Sequence, residues 1–150
     1  MSFIIAEREI ACTESKLLSF LADPLNLKDW TVHRDLYIRE GKCFEANTLN
    51  GDIVFYEIVV KKRGSKLSYS WFYKEQVLKT FHMEVFDLGF EKAKLIFYTD
   101  RAPEASRLSA LEKLIAIEMV LLEGIVSDKK EDLSMEDAIF LQKYHNNLNK

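Results

Sequence analysis

Residues 66–75 read Lys-Leu-Ser-Tyr-Ser-Trp-Phe-Tyr-Lys-Glu. One alternate set, Leu67, Tyr69, Trp71 and Tyr73, is large and apolar; the other, Lys66, Ser68, Ser70 and Lys74, is small or charged, with Phe72 the exception. Successive side chains of a strand point to opposite faces, so this period of two predicts a strand with one face on a core. The pattern continues on both sides. Phe81, Met83 and Val85 alternate with Thr80, His82 and Glu84, and Leu95, Phe97 and Thr99 face inward against Lys94 and Asp100. Upstream, Val54, Tyr56, Ile58 and Val60 are assigned inward because the opposite set holds Glu57, although Ile53, Phe55 and Val59 in that set imply cover on both faces. Turn signals at Glu40-Gly41-Lys42, Asn50-Gly51, Arg63-Gly64-Ser65 and Leu88-Gly89 divide the segment into strands over 33–39, 43–49, 52–62, 66–75, 79–87 and 90–100. No connection is long enough for a crossover helix, so neighbours pair antiparallel in chain order.

Outside this segment the period changes. Residues 3–11, rich in Ile with polar residues interleaved, predict a first strand. Thr13 then stands as N-cap before Glu14, and Leu17, Leu18, Phe20 and Leu21 form a helical stripe ending near Ala22. Asp23-Pro24 begins one more helical turn, up to Trp30. After Pro103 a period of 3.6 runs to about Ser127, with Leu108, Leu111, Leu114, Ile115, Ile117, Met119, Leu121, Leu122 and Ile125 spread over about 200 degrees of circumference. A charged connector, residues 128–132, precedes a tail helix over 134–147, opened by Ser134 and Asp137 and carrying Ile139, Leu141 and Tyr144. The division expected is one domain over 1–128, with 129–150 as connector and tail helix. The tail, or a second subunit in a homodimer, should cover the surplus apolar surface around Leu114, Ile117 and Leu121.

Composition narrows the classes. A chain of 150 residues with 48% hydrophobic and 30% charged residues, five Gly and two Pro is one core's worth of folding sequence. Twenty-one Lys and Arg against 24 Asp and Glu, net −3, lack the basic excess that a phosphate backbone draws on, so nucleic acid is not an expected partner. Cys12 and Cys43 make no disulfide framework and match no zinc spacing. The N-terminus turns charged after six residues, and the longest apolar stretch, Leu114 to Leu122, is broken by Glu118, far short of the roughly 18 to 20 residues that span a bilayer. A soluble, cytoplasmic protein without an integral membrane segment is expected.

The order strand, two short helices, six antiparallel strands, long amphipathic helix resembles the helix-grip fold of the START-like (SRPBCC) superfamily, an α+β architecture. Asp23-Pro24 followed by Trp30 is similar to that superfamily's Asp-Pro and Trp after the first helix. The resemblance covers roughly residues 3 to 127. It implies a seven-stranded sheet curled around the long helix and a hydrophobic ligand held between them, as in lipid-transfer domains, polyketide cyclases and birch-pollen-allergen relatives. On that basis the inward Tyr56, Tyr69, Trp71, Tyr73, Phe81, Met83 and Phe97 are expected against the ligand, joined by Trp30 and His33. Ile115, Glu118, Met119 and Leu122 would face them from the helix.

Among these, Glu118 carries the most specific signal. Its neighbours at three and four residues' distance, Leu114, Ile115, Leu121 and Leu122, are all apolar. A carboxyl there is buried, and it must find a partner or keep its proton. It either fixes a polar group of the ligand, acts as acid or base with a partner such as Tyr69, Tyr73 or His33, or sits at a seam with the tail helix or a second subunit. A His at a strand entrance, as His33 is, is ordinarily solvated, and its neighbour Arg34 is a candidate for an acidic head group. His82 on the outer face and His145 in the tail converge on no metal site, and no phosphate, nicotinamide or Gly-x-Ser-x-Gly nucleophile motif is present. No metal or cofactor is expected. Three functions remain: a binding or transport module, a cyclase- or hydrolase-like enzyme using Glu118, and a protein-interaction module like the superfamily's chaperone-ATPase activators.

Overall fold

The computed structural model describes residues 2–127 and 134–148; the connector at 128–132 and the side chains of Tyr144 and His145 lie outside the described residues. Strand β1 (Phe3–Ile10) leads into helix α1 (Glu14–Ala22), a 3-10 turn (Pro24–Asn26) and a short helix α2 (Leu27–Trp30). Six strands follow, β2 (Leu36–Arg39), β3 (Lys42–Leu49), β4 (Asp52–Arg63), β5 (Lys66–Tyr73), β6 (Gln76–Gly89) and β7 (Lys92–Thr99). Then come the long helix α3 (Ala105–Val126) and the tail helix α4 (Met135–Leu148). The strands form one antiparallel sheet ordered β1-β7-β6-β5-β4-β3-β2. This is the α+β helix-grip arrangement.

The caps are those that the side chains dictate. Thr13 Oγ1 accepts the Lys16 N–H at 3.2 Å, Asp23 Oδ1 accepts the Leu25 N–H at 3.0 Å, and Ser134 Oγ accepts the Asp137 N–H at 3.1 Å. Strand boundaries depart from expectation where turns form without glycine. Four two-residue turns have both residues at positive φ: Glu40-Gly41 (53° and 77°), Asn50-Gly51 (53° and 86°), Lys74-Glu75 (50° and 67°) and Phe90-Glu91 (53° and 58°). Twist matching selects this mirror-image turn in short hairpins, and here it overrides the residue preference at the last two. Consequently β5 stops at Tyr73, β6 runs from Gln76 to Gly89, and β7 starts at Lys92. The second strand likewise begins at Leu36 rather than His33.

One sheet face packs on the helices. Leu67, Tyr69, Trp71, Met83, Val85, Leu95 and Phe97 are buried with Ile115, Met119, Leu122 and Val126 of α3. On β4 the inward set is the one containing Ile58, which is buried, whereas Ile53 (68% exposed) and Phe55 (52%) leave the opposite face uncovered among the described residues. Glu123 clamps the helix to the sheet edge. It takes hydrogen bonds from Arg8 Nε (3.1 Å) and Nη2 (2.7 Å) and from the Ala11 N–H (2.9 Å). Charge-assisted bonds of this kind are about twice as strong as neutral ones, so they fix where α3 crosses β1.

Candidate functional site

Helix and sheet pack closely along the C-terminal half of α3, at Met119, Leu122 and Val126, and part beside its middle. The opening is a partly open cavity of about 340 Å³. Its walls come from Trp30 at the end of α2 and the loop after it (Thr31 to Asp35), from Glu45 on β3, Lys79 and Phe81 on β6, Phe97 on β7, and Leu111, Ile115 and Glu118 on α3. Its size lies at the lower end of ordinary small-molecule sites, and its mix of apolar wall and few polar groups is typical of them.

Glu118, 3% exposed, projects from α3 into this space, and its Oε2 accepts the Val32 N–H at 2.9 Å. Burial pushes its carboxyl up to about 8, against the Val32 bond and the positive charges of Lys79 and Arg34, which pull it down. The seam with α4 lies elsewhere on α3, where Lys113 Nζ sits 4.6 Å over the Phe140 ring.

A second polar group stands on the sheet side. Glu45 Oε2 lies 2.6 Å from His33 Nδ1, and Glu45 Oε1 accepts the Trp71 Nε1–H at 3.1 Å. Burial lowers the pKa of His33 despite Glu45, which keeps the ring neutral with its Nδ1 proton donated to the carboxylate. Burial alone would raise Glu45, but the His33 bond, the positive charge of Lys79 and the Trp71 bond hold it below the ordinary carboxylate range. Lys79 Nζ lies 4.4 Å over the Trp71 ring. Its side chain keeps accessible surface in the open cavity, yet the surrounding protein lowers its pKa against the pull of Glu45 and Glu118.

The structure brings together seven of the residues singled out in the sequence: Trp30, His33, Arg34, Phe81, Phe97, Ile115 and Glu118 all line the cavity. Tyr56, Tyr69, Trp71, Tyr73, Met83, Met119 and Leu122 do not. Tyr69, Trp71, Met83, Met119 and Leu122 are almost wholly buried core, and the Tyr69 hydroxyl donates to the Leu21 carbonyl. Tyr56 and Tyr73 pack edge to face at 5.7 Å. His33 is not solvated as a strand-entrance His usually is; Glu45 holds it and its ring meets Trp71 at 5.0 Å.

Sequence reasoning missed Glu45 and Lys79. Both were in phase with inward residues, Glu45 with Cys43 and Lys79 with Phe81, Met83 and Val85. Charge at the mouth of a strand reads as solvated until the cavity opposite it is known. Elsewhere, Ser68 Oγ, the His82 ring and Asp100 Oδ1 align at 2.8 and 3.0 Å on the outer face, with Tyr98 stacked on the imidazole at 5.0 Å. Ser68 and His82 lie on paired strands whose backbone N–H groups serve the ladders, so no oxyanion hole accompanies the serine. Burial pushes both thiols up, Cys43 to about 11, which leaves neither as a thiolate near neutrality. Among the described residues no cluster of His, Cys, Asp and Glu is arranged to hold a metal, and no helix is long and apolar enough to cross a membrane.

No protein-family model and no curated protein matches the sequence. Solved structures do match. A START superfamily protein from Mycobacterium smegmatis superposes with TM-score 0.56 at 12% identity, covering 85% of this chain and 97% of that one. The Aha1 dimer from Colwellia psychrerythraea gives 0.60 at 11% identity, covering 87% and 99%. CalU16 from Micromonospora echinospora gives 0.57 at 16% identity, covering 98% and 85%. The fold is START-like, and at these identities the likeness concerns the fold alone.

Proposed function

We propose that this chain binds a hydrophobic or amphipathic small molecule in the hollow between the sheet and α3, a role that also serves transport of that molecule. The observation that carries this reading is the partly open cavity of about 340 Å³ walled by Trp30, Phe81, Phe97 and Ile115 with Glu118 at its polar end. A cytoplasmic location belongs to the same reading. Native mass spectrometry of freshly purified protein, followed by solvent extraction, tests it. A co-purifying apolar molecule released on extraction is the result expected. A dry protein that also takes up no apolar probe would overturn it.

A second reading is favoured by Glu118 itself, whose carboxyl pushed up to about 8 suits a general acid or base near neutral pH. In a cyclase- or hydrolase-like reaction Glu118 would be the catalytic residue, with His33 nearest in role, since Tyr69 and Tyr73 do not line the cavity. Turnover of a candidate polyene or ester that Glu118→Gln abolishes, with binding intact, would select this reading. An interaction role draws on the outer face, where Tyr37 meets Phe44 at 5.8 Å and Phe55 at 6.0 Å.

A further inference from the structure

We infer that the ligand is an apolar molecule ending in a carboxylate, and that its oxygens seat between Lys79 Nζ and Glu118 at the polar end of the cavity. This rests on the binding reading above and adds the chemistry of the head group. Lys79 faces the Trp71 ring but has no hydrogen-bonded acceptor among the described residues, and the indole N–H of Trp30, itself 3% exposed, has none either. Glu45 does not supply one, because its two oxygens are engaged by His33 and Trp71.

Glu118 completes the donor set. Its Oε2 is engaged by Val32, its Oε1 has no protein partner among the described residues, and with its pKa at about 8 it holds a proton at neutral pH. A protonated carboxyl donates, so Lys79 and Glu118 both present hydrogen to one acceptor. A ligand without an acceptor would leave the buried Trp30 and Glu118 hydrogens unpaired, and a cationic one would meet the charge of the exposed Lys79. The charged groups facing Glu118 are Lys79 from β6, Arg34 from the loop after α2, and the Glu45–His33 pair across the cavity, with Asp35 exposed at the mouth. Above its own pKa Glu118 would ionise and repel a bound carboxylate. At about 30 Å³ for each water-sized group, the roughly 340 Å³ of space takes a molecule of about a dozen heavy atoms.

Calorimetric titration of the full chain with decanoate, 1-decanol and decylamine at pH 7 and pH 9 tests the inference. Decanoate is expected to bind at least tenfold more tightly than decanol at pH 7, with decylamine weakest. That advantage should shrink at least fivefold at pH 9, and the shrinkage should vanish in Glu118→Gln, which keeps a neutral donor. Lys79→Met should remove most of decanoate's advantage over decanol. Equal binding of decanoate and decanol, tighter binding of decylamine, or an advantage that survives Lys79→Met would overturn the carboxylate assignment while the binding reading stands. Failure of all three probes to bind would overturn both.

Discussion

Glu118, in the middle of the long helix, accepts a hydrogen bond at 2.9 Å from the backbone N–H of Val32, 86 residues earlier in the chain. One carboxyl thus ties α3 to the loop that forms the cavity mouth, and it does so while held well above its ordinary pKa. A carboxyl whose pKa is raised on folding binds its proton more tightly in the native state. Its ionisation therefore costs stability as pH rises from the unfolded value near 4.5 towards about 8. Glu118→Gln keeps an acceptor for Val32 and removes the ionisation. The variant is expected to match the parent near pH 5 and to exceed it in thermal stability at pH 8 and above, by up to a few kcal/mol at about 1.4 kcal/mol per pKa unit. Melting curves across pH 5 to 9 check this; parallel curves for the two proteins would contradict it.

Glu45 holds two buried donors, His33 and Trp71, and its removal strands both. Glu45→Ala should destabilise by about 2–3 kcal/mol, read as a drop in melting temperature, with a change in Trp71 fluorescence that a surface Glu→Ala substitution does not produce. In the parent, His33 is depressed below its usual 6.5 and Glu45 below 4.5. The stability this pair contributes is present at neutral pH and lost on acidification, first as His33 is forced to charge below 6.5 and then as Glu45 is protonated below 4.5.

Tyr69 separates core from cavity. Its hydroxyl serves the Leu21 carbonyl and lies outside the cavity wall. Tyr69→Phe is expected to cost about 1–2 kcal/mol of stability by leaving that carbonyl unpaired, and to leave the affinity for an apolar probe unchanged. A large loss of affinity with stability intact would place Tyr69 at the ligand.

The turn at Phe90-Glu91 stores strain in two residues at φ 53° and 58°, and Phe90 is fully exposed. Replacing the pair with Asn-Gly should stabilise by about 1 kcal/mol, which for a domain of this size is a rise of roughly 2–4 °C in melting temperature. A fall would show that Phe90 makes a contact in solution.

Lys113 Nζ over Phe140 shows α4 against α3, and we propose that residues 129–150 form a cover on the same domain or on a partner copy. Deleting residues 129–150 should lower the melting temperature and raise binding of a hydrophobic dye. Unchanged solubility, oligomeric state and melting temperature would reject the cover.

The amino-acid order alone determined the seven strands, the long helix and the inward faces of Leu67, Tyr69, Trp71, Met83 and Val85, because alternation and helical period are local and each element must bury its apolar side. It also marked Glu118 as buried, from four apolar neighbours on one helix. Tertiary structure decided where helix and sheet part. That opening left Tyr69, Trp71 and Met119 as solid core, drew His33 out of solvent into a bond with Glu45, and turned Lys79 into a cavity residue. Period in the sequence reports which face a side chain takes, whereas a hollow depends on the separation of two elements far apart in the chain, set by contacts such as Arg8 with Glu123 and Val32 with Glu118.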